Sequence, residues 1–155
     1  MMPNRHCLSS GVKQGDPLSP VLFNIAIDLL LENLNQSHLG VVLDDLKFPA
    51  LAYADDLALV ATSDVELQQL VNITTGTLSM IGLDLNRSKS VVMGCHERIL
   101  VGDTELQKVD SIKYLGVEIC SNGSTRSIPN LFDPLLRKLH RARLKIGRAS
   151  CRERV

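Results

Sequence analysis

Two adjacent carboxylates, Asp55 and Asp56, follow Tyr53 and Ala54 and are bracketed by short apolar runs. Residues 48–54 read as one strand and 57–62 as its partner, which puts the acids at or near a hairpin tip. Hard Mg²⁺ takes oxygen ligands, one or two protein carboxylates plus the phosphates of a substrate. Packed strands supply the rigid aim that two-metal phosphoryl transfer needs. The hairpin has neither the Asn-Gly nor the Asp-Gly pair that favours a tight turn, so turn chemistry does not account for the two aspartates. An Asp-Asp pair in a surface turn is nonetheless more often merely solvated, and its neighbours must decide.

Two helices flank the hairpin. Ser19 suits an N-cap and Pro20 the first helical position, where its missing N–H costs nothing. Val21, Leu22, Ile25, Leu29 and Leu30 then recur at roughly helical spacing, giving a helix over about 20–35. Gly40 ends the segment. Downstream, Ser63-Asp64-Val65-Glu66 fits the capping-box pattern, and Leu67, Leu70, Val71, Thr74, Leu78 and Ile81 form an apolar stripe up to Gly82. This predicts a helix over about 64–81. Residues 83–85, 90–93, 99–101 and 112–119 read as strands, broken at Gly94, Gly102-Asp103 and Asn122-Gly123. A basic amphipathic helix is expected over about 131–145.

A chain of 155 residues with 45% hydrophobic and 22% charged content is large enough for one domain with a core. No run approaches the roughly 18 apolar residues of a membrane span, and the first ten residues lack the apolar centre of a secretory signal. Cys7, Cys95, Cys120 and Cys151 are far apart with no CxxC pair, which argues against zinc and a disulfide framework and for reduced intracellular thiols. The 17 basic and 17 acidic residues cancel, so the basic excess usual in nucleic-acid enzymes is missing and function must be read from motifs.

Four motifs occur in order. Gly11-Val12-Lys13-Gln14-Gly15-Asp16-Pro17-Leu18-Ser19-Pro20, followed by Leu22-Phe23-Asn24, resembles the segment that leads into the palm helix of reverse transcriptases. Tyr53-Ala54-Asp55-Asp56 resembles their metal-binding hairpin. Gly82-Leu83-Asp84-Leu85-Asn86 with Lys89-Ser90 resembles the next motif, and Tyr114-Leu115-Gly116 the primer grip after it. The resemblance covers about residues 11–120, and its wording is most similar to non-LTR retrotransposon enzymes of the type that inserts site-specifically into ribosomal DNA. Group II intron and retron enzymes share the first two motifs.

The resemblance implies an α+β fold, an incomplete right-hand polymerase palm with two helices on a small antiparallel sheet and the start of a thumb over 121–145. It implies that Asp55 coordinates two Mg²⁺ ions, with Asp56 as a less direct partner. Tyr53 is expected beside the incoming nucleotide or primer end, and Gln14 and Gly15 against the nascent base pair and template. Lys89 is expected to aid the leaving pyrophosphate by charge or as a general acid, and Tyr114, Leu115 and Gly116 to hold the primer terminus. The implied partners are template RNA, a DNA or RNA primer and deoxynucleotide triphosphates, in an intracellular, nuclear setting away from membranes. The basic side chains Arg137, Lys138, His140, Arg141, Arg143 and Lys145 suit either duplex phosphates or a solvated helix face.

The family's first catalytic motif, a strand ending in an aspartate, should precede Gly11, yet residues 1–10 contain no aspartate and make an uncertain N-terminal joint. The fingers are expected to be missing with it. The chain by itself is therefore expected not to polymerise, and its hairpin to lose a neighbouring strand and expose an edge. Poor solubility or a molten state follows from such an edge. Residues 146–155 look foreign, like a translated sequencing adapter, with a plain basic tail as the bland alternative. A decayed or domesticated palm remnant that binds RNA or a protein is the other functional expectation; a purely structural α+β domain is the third.

Overall fold

The computed structural model describes residues 17–43, 45–122 and 145–153. Gln14 and Gly15 lie outside the described residues, and so does the helix expected over 131–145, apart from Lys145, which opens a strand.

Helix α1 spans Ser19–Gln36, but Leu18 takes the N-cap position and no side chain caps the end. The expected Ser19 cap is one residue late: the Leu22 N–H already bonds back to the Leu18 carbonyl at 3.1 Å, and Pro20 in the first turn needs no acceptor. Only part of the apolar stripe is buried. Ile27, Leu30 and Leu34 are buried, whereas Val21, Leu22, Ile25 and Leu29 are between 43% and 61% exposed. The helix is apolar on two faces, and only the one nearer its C-terminal end meets helix α2 (Asp64–Met80). An Asn33 Nδ2–H bond to Thr77 Oγ1 (3.1 Å) fixes that crossing.

After α1 the chain turns at Gly40 into a hairpin of β1 (Val41–Leu43) and β2 (Leu46–Phe48), with Val41 opposite Phe48. Gly40 has φ +104°, and a Cβ there would lie 2.5 Å from the Phe48 carbonyl oxygen and 2.6 Å from Pro49 Cα. Backbone cannot give way as a flexible side chain does. Gly40→Ala is therefore expected to cost about 3 kcal/mol or more, since it combines a steric overlap with a disfavoured dihedral. Gly82→Ala is the control: φ is +77° but nothing lies within 4 Å, so only the dihedral penalty of roughly 1 kcal/mol remains. Urea denaturation of both variants checks the difference, and equal losses would refute the clash.

The single strand expected over 48–54 is split. Pro49 has no N–H for a ladder, so β2 ends before it and β3 (Ala50–Tyr53) begins after it, paired with β4 (Asp56–Ala61). Helix α2 then starts as expected: the Ser63 hydroxyl accepts from the Glu66 N–H at 3.2 Å. Glu66 does not return the bond to Ser63 but takes the Thr62 N–H at 2.9 Å and the Thr62 hydroxyl, so the box closes one residue earlier. Leu67, Leu70, Val71, Thr74 and Leu78 are buried as the stripe predicts, and Gly82 takes the left-handed stop.

Beyond α2 come β5 (Leu83–Leu85), β6 (Val91–Met93), β7 (Leu100–Val101), β8 (Thr104–Glu105), β9 (Gln107–Val109), β10 (Ser111–Tyr114), β11 (Val117–Cys120) and β12 (Lys145–Glu153). The strand expected over 112–119 is thus a hairpin, because Leu115 and Gly116 both have positive φ, +48° and +84°, and reverse the chain. The main sheet runs β3-β4-β12-β6-β9, with β5 also pairing β12. It is antiparallel except for the β6–β9 pair, which is parallel, so the sheet is mixed where an antiparallel one was expected. Helix α2 packs on β4, β5 and β12, and α1 packs on α2. Gly147 lets β12 pass close beneath α2, since a Cβ there would stand 3.3 Å from Leu67 Cδ1.

One side of the hairpin is covered and the other is an edge: β12 pairs with β4, while β3 stands at the end of the strand order among the described residues. The backbone of β12 runs along β4 from Lys145 opposite Ala61 to Ser150 opposite Asp56. Residues 145–153, most of them in the segment that looks like a translated adapter, thus take a central place in the sheet. Among the described residues no helix is long and apolar enough to cross a membrane.

Candidate active site

The β3–β4 hairpin is closed by a two-residue turn, Ala54-Asp55, with Tyr53 directly opposite Asp56. Ala54 holds φ +49°, a left-handed conformation that non-glycine residues adopt at a cost of about 1 kcal/mol or more. What holds it there is the strand beneath: Leu57, Ala58, Leu59, Val60 and Ala61 are all buried. The core clamps β4 along its length, and the strain sits at the tip. Asp55 is exposed in the turn and Asp56, the first residue of β4, is half-buried. The side chains of two consecutive residues thus leave a rigid hairpin at its end, where a hydrated cation and a phosphate can reach them. Tyr53 is 65% exposed beside them, a large aromatic surface offered to solvent.

Lys89 lies in the turn between β5 and β6, which pair in succession along the other side of β12. Ala58 of β4 and Val91 of β6 both pair with Arg148, so β4 and β6 run parallel, two inter-strand spacings or roughly 10 Å apart. Asp56 and Lys89 each precede those residues by two. Lys89 is exposed and ends a turn ordered by its own hydrogen bonds: its N–H donates to the Asn86 carbonyl at 3.1 Å, and Ser90 Oγ–H donates to the same carbonyl at 2.8 Å. Buried Ser90 anchors the turn from below.

The third group is the β10–β11 ribbon. Leu115 and Gly116 form its exposed tip, while Ile112 near its base is buried. Tyr114 is half-buried, and its hydroxyl donates to the Leu51 carbonyl oxygen at 3.2 Å. The structure therefore brings Asp55, Asp56, Tyr53 and Tyr114 around one strand pair, with Lys89 in the separate β5–β6 turn. Gln14 and Gly15, outside the described residues, are not part of this geometry.

Two features had no signal in the sequence. A backbone carbonyl such as that of Leu51 is invisible to motif reading, and alanine at position 54 does not announce a left-handed dihedral. The arrangement suits a divalent cation held by two carboxylates and completed by substrate oxygens. Among the described residues no group of three or more His, Cys, Asp or Glu side chains comes together. The two carboxylates thus offer part of the ligand shell of a divalent ion.

Known proteins match the chain along most of its length. A family model described as reverse transcriptase (RNA-dependent DNA polymerase) matches residues 3–119. The chain is 38% identical over 151 residues to a Retrovirus-related Pol polyprotein from type-2 retrotransposable element R2DM of Drosophila melanogaster, covering 87% of this chain and 14% of that protein. It is 32% identical over 157 residues to a Pol polyprotein from type-1 retrotransposable element R2 of Popillia japonica, covering 92% of this chain and 26% of the relative. An R2 Pol polyprotein of Nasonia vitripennis is 33% identical over 143 residues, covering 82% of this chain and 14% of the relative. The chain spans between 14% and 26% of the length of these three relatives.

Proposed function

Because this chain belongs to the reverse transcriptase family, of the type found in R2 non-LTR retrotransposons, we propose that it supplies the metal-binding half of an RNA-directed DNA polymerase palm. The observation that carries the proposal is the Ala54-Asp55 turn, which presents Asp55 and Asp56 at the end of strands locked by a buried core. On this proposal residues 11–120 are the later part of the palm and 121–145 open the thumb.

The reaction is attack of a primer 3′-OH on the α-phosphate of a deoxynucleotide, directed by template RNA, with pyrophosphate leaving. Magnesium, when bound, lowers the charge barrier between attacking oxygen and phosphate. Asp55 and Asp56 would hold it, together with oxygens of the substrate. Tyr53 stacks beside the incoming nucleotide, while Gln14 and Gly15 face the template. Lys89 meets the charge developing on pyrophosphate, as a cation or a proton donor. Leu115 and Gly116 hold the primer end. The longer enzyme acts in the nucleus, where its DNA substrate is.

The test is RNA-templated primer extension by the longer protein that contains this segment. DNA product is expected with Mg²⁺, and Lys89→Ala is expected to slow nucleotide addition by about 10- to 100-fold, the lower range for losing a positioned acid–base group. Failure of the longer protein to extend any primer would sink the polymerase function and leave RNA or protein binding by a palm remnant.

A further inference from the structure

The β10–β11 ribbon is a two-stranded sheet of its own, separate from the main sheet that contains the catalytic hairpin. It is stiff in itself. The Leu115-Gly116 turn closes its tip, a Ser111 Oγ–H bond to Glu118 Oε1 at 2.9 Å crosses it, and the Ser121 N–H bonds to the Asp110 carbonyl at 2.8 Å across its base. Buried Ile112 pins that base to the body of the protein. A stiff ribbon pinned near its base can still pivot, and what happens near its tip decides where the tip points.

Near the tip, the Tyr114 hydroxyl bonds to the Leu51 carbonyl, 63 residues away in sequence and two residues before Tyr53 on the strand that enters the Asp55–Asp56 turn. We propose that the Tyr114 hydroxyl is a latch that fixes the β10–β11 tip relative to the metal-binding hairpin. Tyr114 is then a positioning residue. Its ring and backbone belong to the primer-holding ribbon, and its oxygen sets the distance from that ribbon to the carboxylates. A latch of this kind keeps a primer end within reach of the metal without itself touching the reacting atoms. This catalytic consequence rests on the polymerase function proposed above; the latch does not.

Amide hydrogen exchange on the 155-residue chain tests it with Tyr114→Phe, which removes only the oxygen, and Tyr114→Leu, which also removes the ring. The latch predicts that Phe speeds exchange at residues 51–57 and 113–118 by roughly 2- to 10-fold, the opening expected on losing one hydrogen bond of ordinary strength, with α2 unchanged. Leu gives at least the same local loss. Wild-type protection in Phe with loss only in Leu would assign the role to ring packing and overturn the proposal. A loss spread evenly over α2 would overturn it too, as general destabilisation. In the longer enzyme, Tyr114→Phe is expected to lower kcat several-fold at unchanged primer affinity, because misplacement of bound reactants is read in kcat. An equal loss in primer affinity would place the hydroxyl on the primer instead. Exchange requires no polymerase activity, so failure of the latch and failure of the polymerase function are separable.

Discussion

Asp55→Ala in the longer polymerase is expected to reduce nucleotide addition by about 10³-fold or more, while Asp56→Ala costs roughly 10- to 100-fold, the asymmetry following from the proposed roles of Asp55 as the direct metal ligand and Asp56 as its less direct partner. Both residues leave the same turn, but differently. Asp55 is fully in the loop and exposed, able to approach ions from more than one side; Asp56 is already part of β4, half-buried and opposite Tyr53. A thousandfold loss corresponds to about 4 kcal/mol of transition-state stabilisation, within what a metal ion contributes as a Lewis acid. Single-turnover primer extension measures both variants. If Asp56→Ala proved the more damaging, the roles assigned to the two carboxylates would have to be exchanged. If neither mattered, the hairpin would not be the metal site.

The isolated 155-residue chain, given Mg²⁺, a primed RNA template and deoxynucleotides, is expected to leave the primer unextended. Two carboxylates balance only half the charge of two Mg²⁺ ions, and among the described residues no third acid joins them. Each 1.4 kcal/mol of lost metal stabilisation is about a tenfold loss of rate, so a site short of one cation falls below roughly 10⁻³ of the complete enzyme. The measurement is extension product per chain against the longer protein under the same conditions. Template-dependent product from the purified 155-residue chain would show that two acids suffice.

The hairpin and α2 were legible in the sequence because local and tertiary signals agree there. Ser63 caps, Gly82 stops, and the stripe from Leu67 to Leu78 has only one apolar side to bury. Helix α1 was legible in extent but not in orientation. Its residues are apolar on two faces, so periodicity alone could not choose between Val21-Ile25-Leu29 and Ile27-Leu30-Leu34; contact with α2 does. Pro49 carried a readable strand break that the longer apolar run around it obscured. The ribbon at 111–120 was read as one strand because leucine is a poor herald of positive φ and the reversal needs it at Leu115. Strand β12 was not legible at all: Lys-Ile-Gly-Arg-Ala-Ser has neither alternation nor β-branched weight, and its pairing comes from partners on both sides. At the site, motif order supplied the family and the residues. It could not supply the strained Ala54 dihedral or the Tyr114–Leu51 bond.

The outward stripe of α1 affects how the chain behaves in a test tube. Leu18, Val21, Leu22, Ile25 and Leu29 keep a greasy strip in water although the helix that bears them is well packed behind. Environment-sensitive dyes such as anilinonaphthalene sulfonate brighten on such a surface, a response ordinarily taken to mean a loosened interior. Here that fluorescence would arise with the core intact, and salting-out would begin early for the same reason. Near-ultraviolet dichroism cannot stand in easily, because the chain has no tryptophan and only two tyrosines. Order in this protein has to be judged by amide protection or by sharp methyl resonances from Leu30, Leu34 and Leu67.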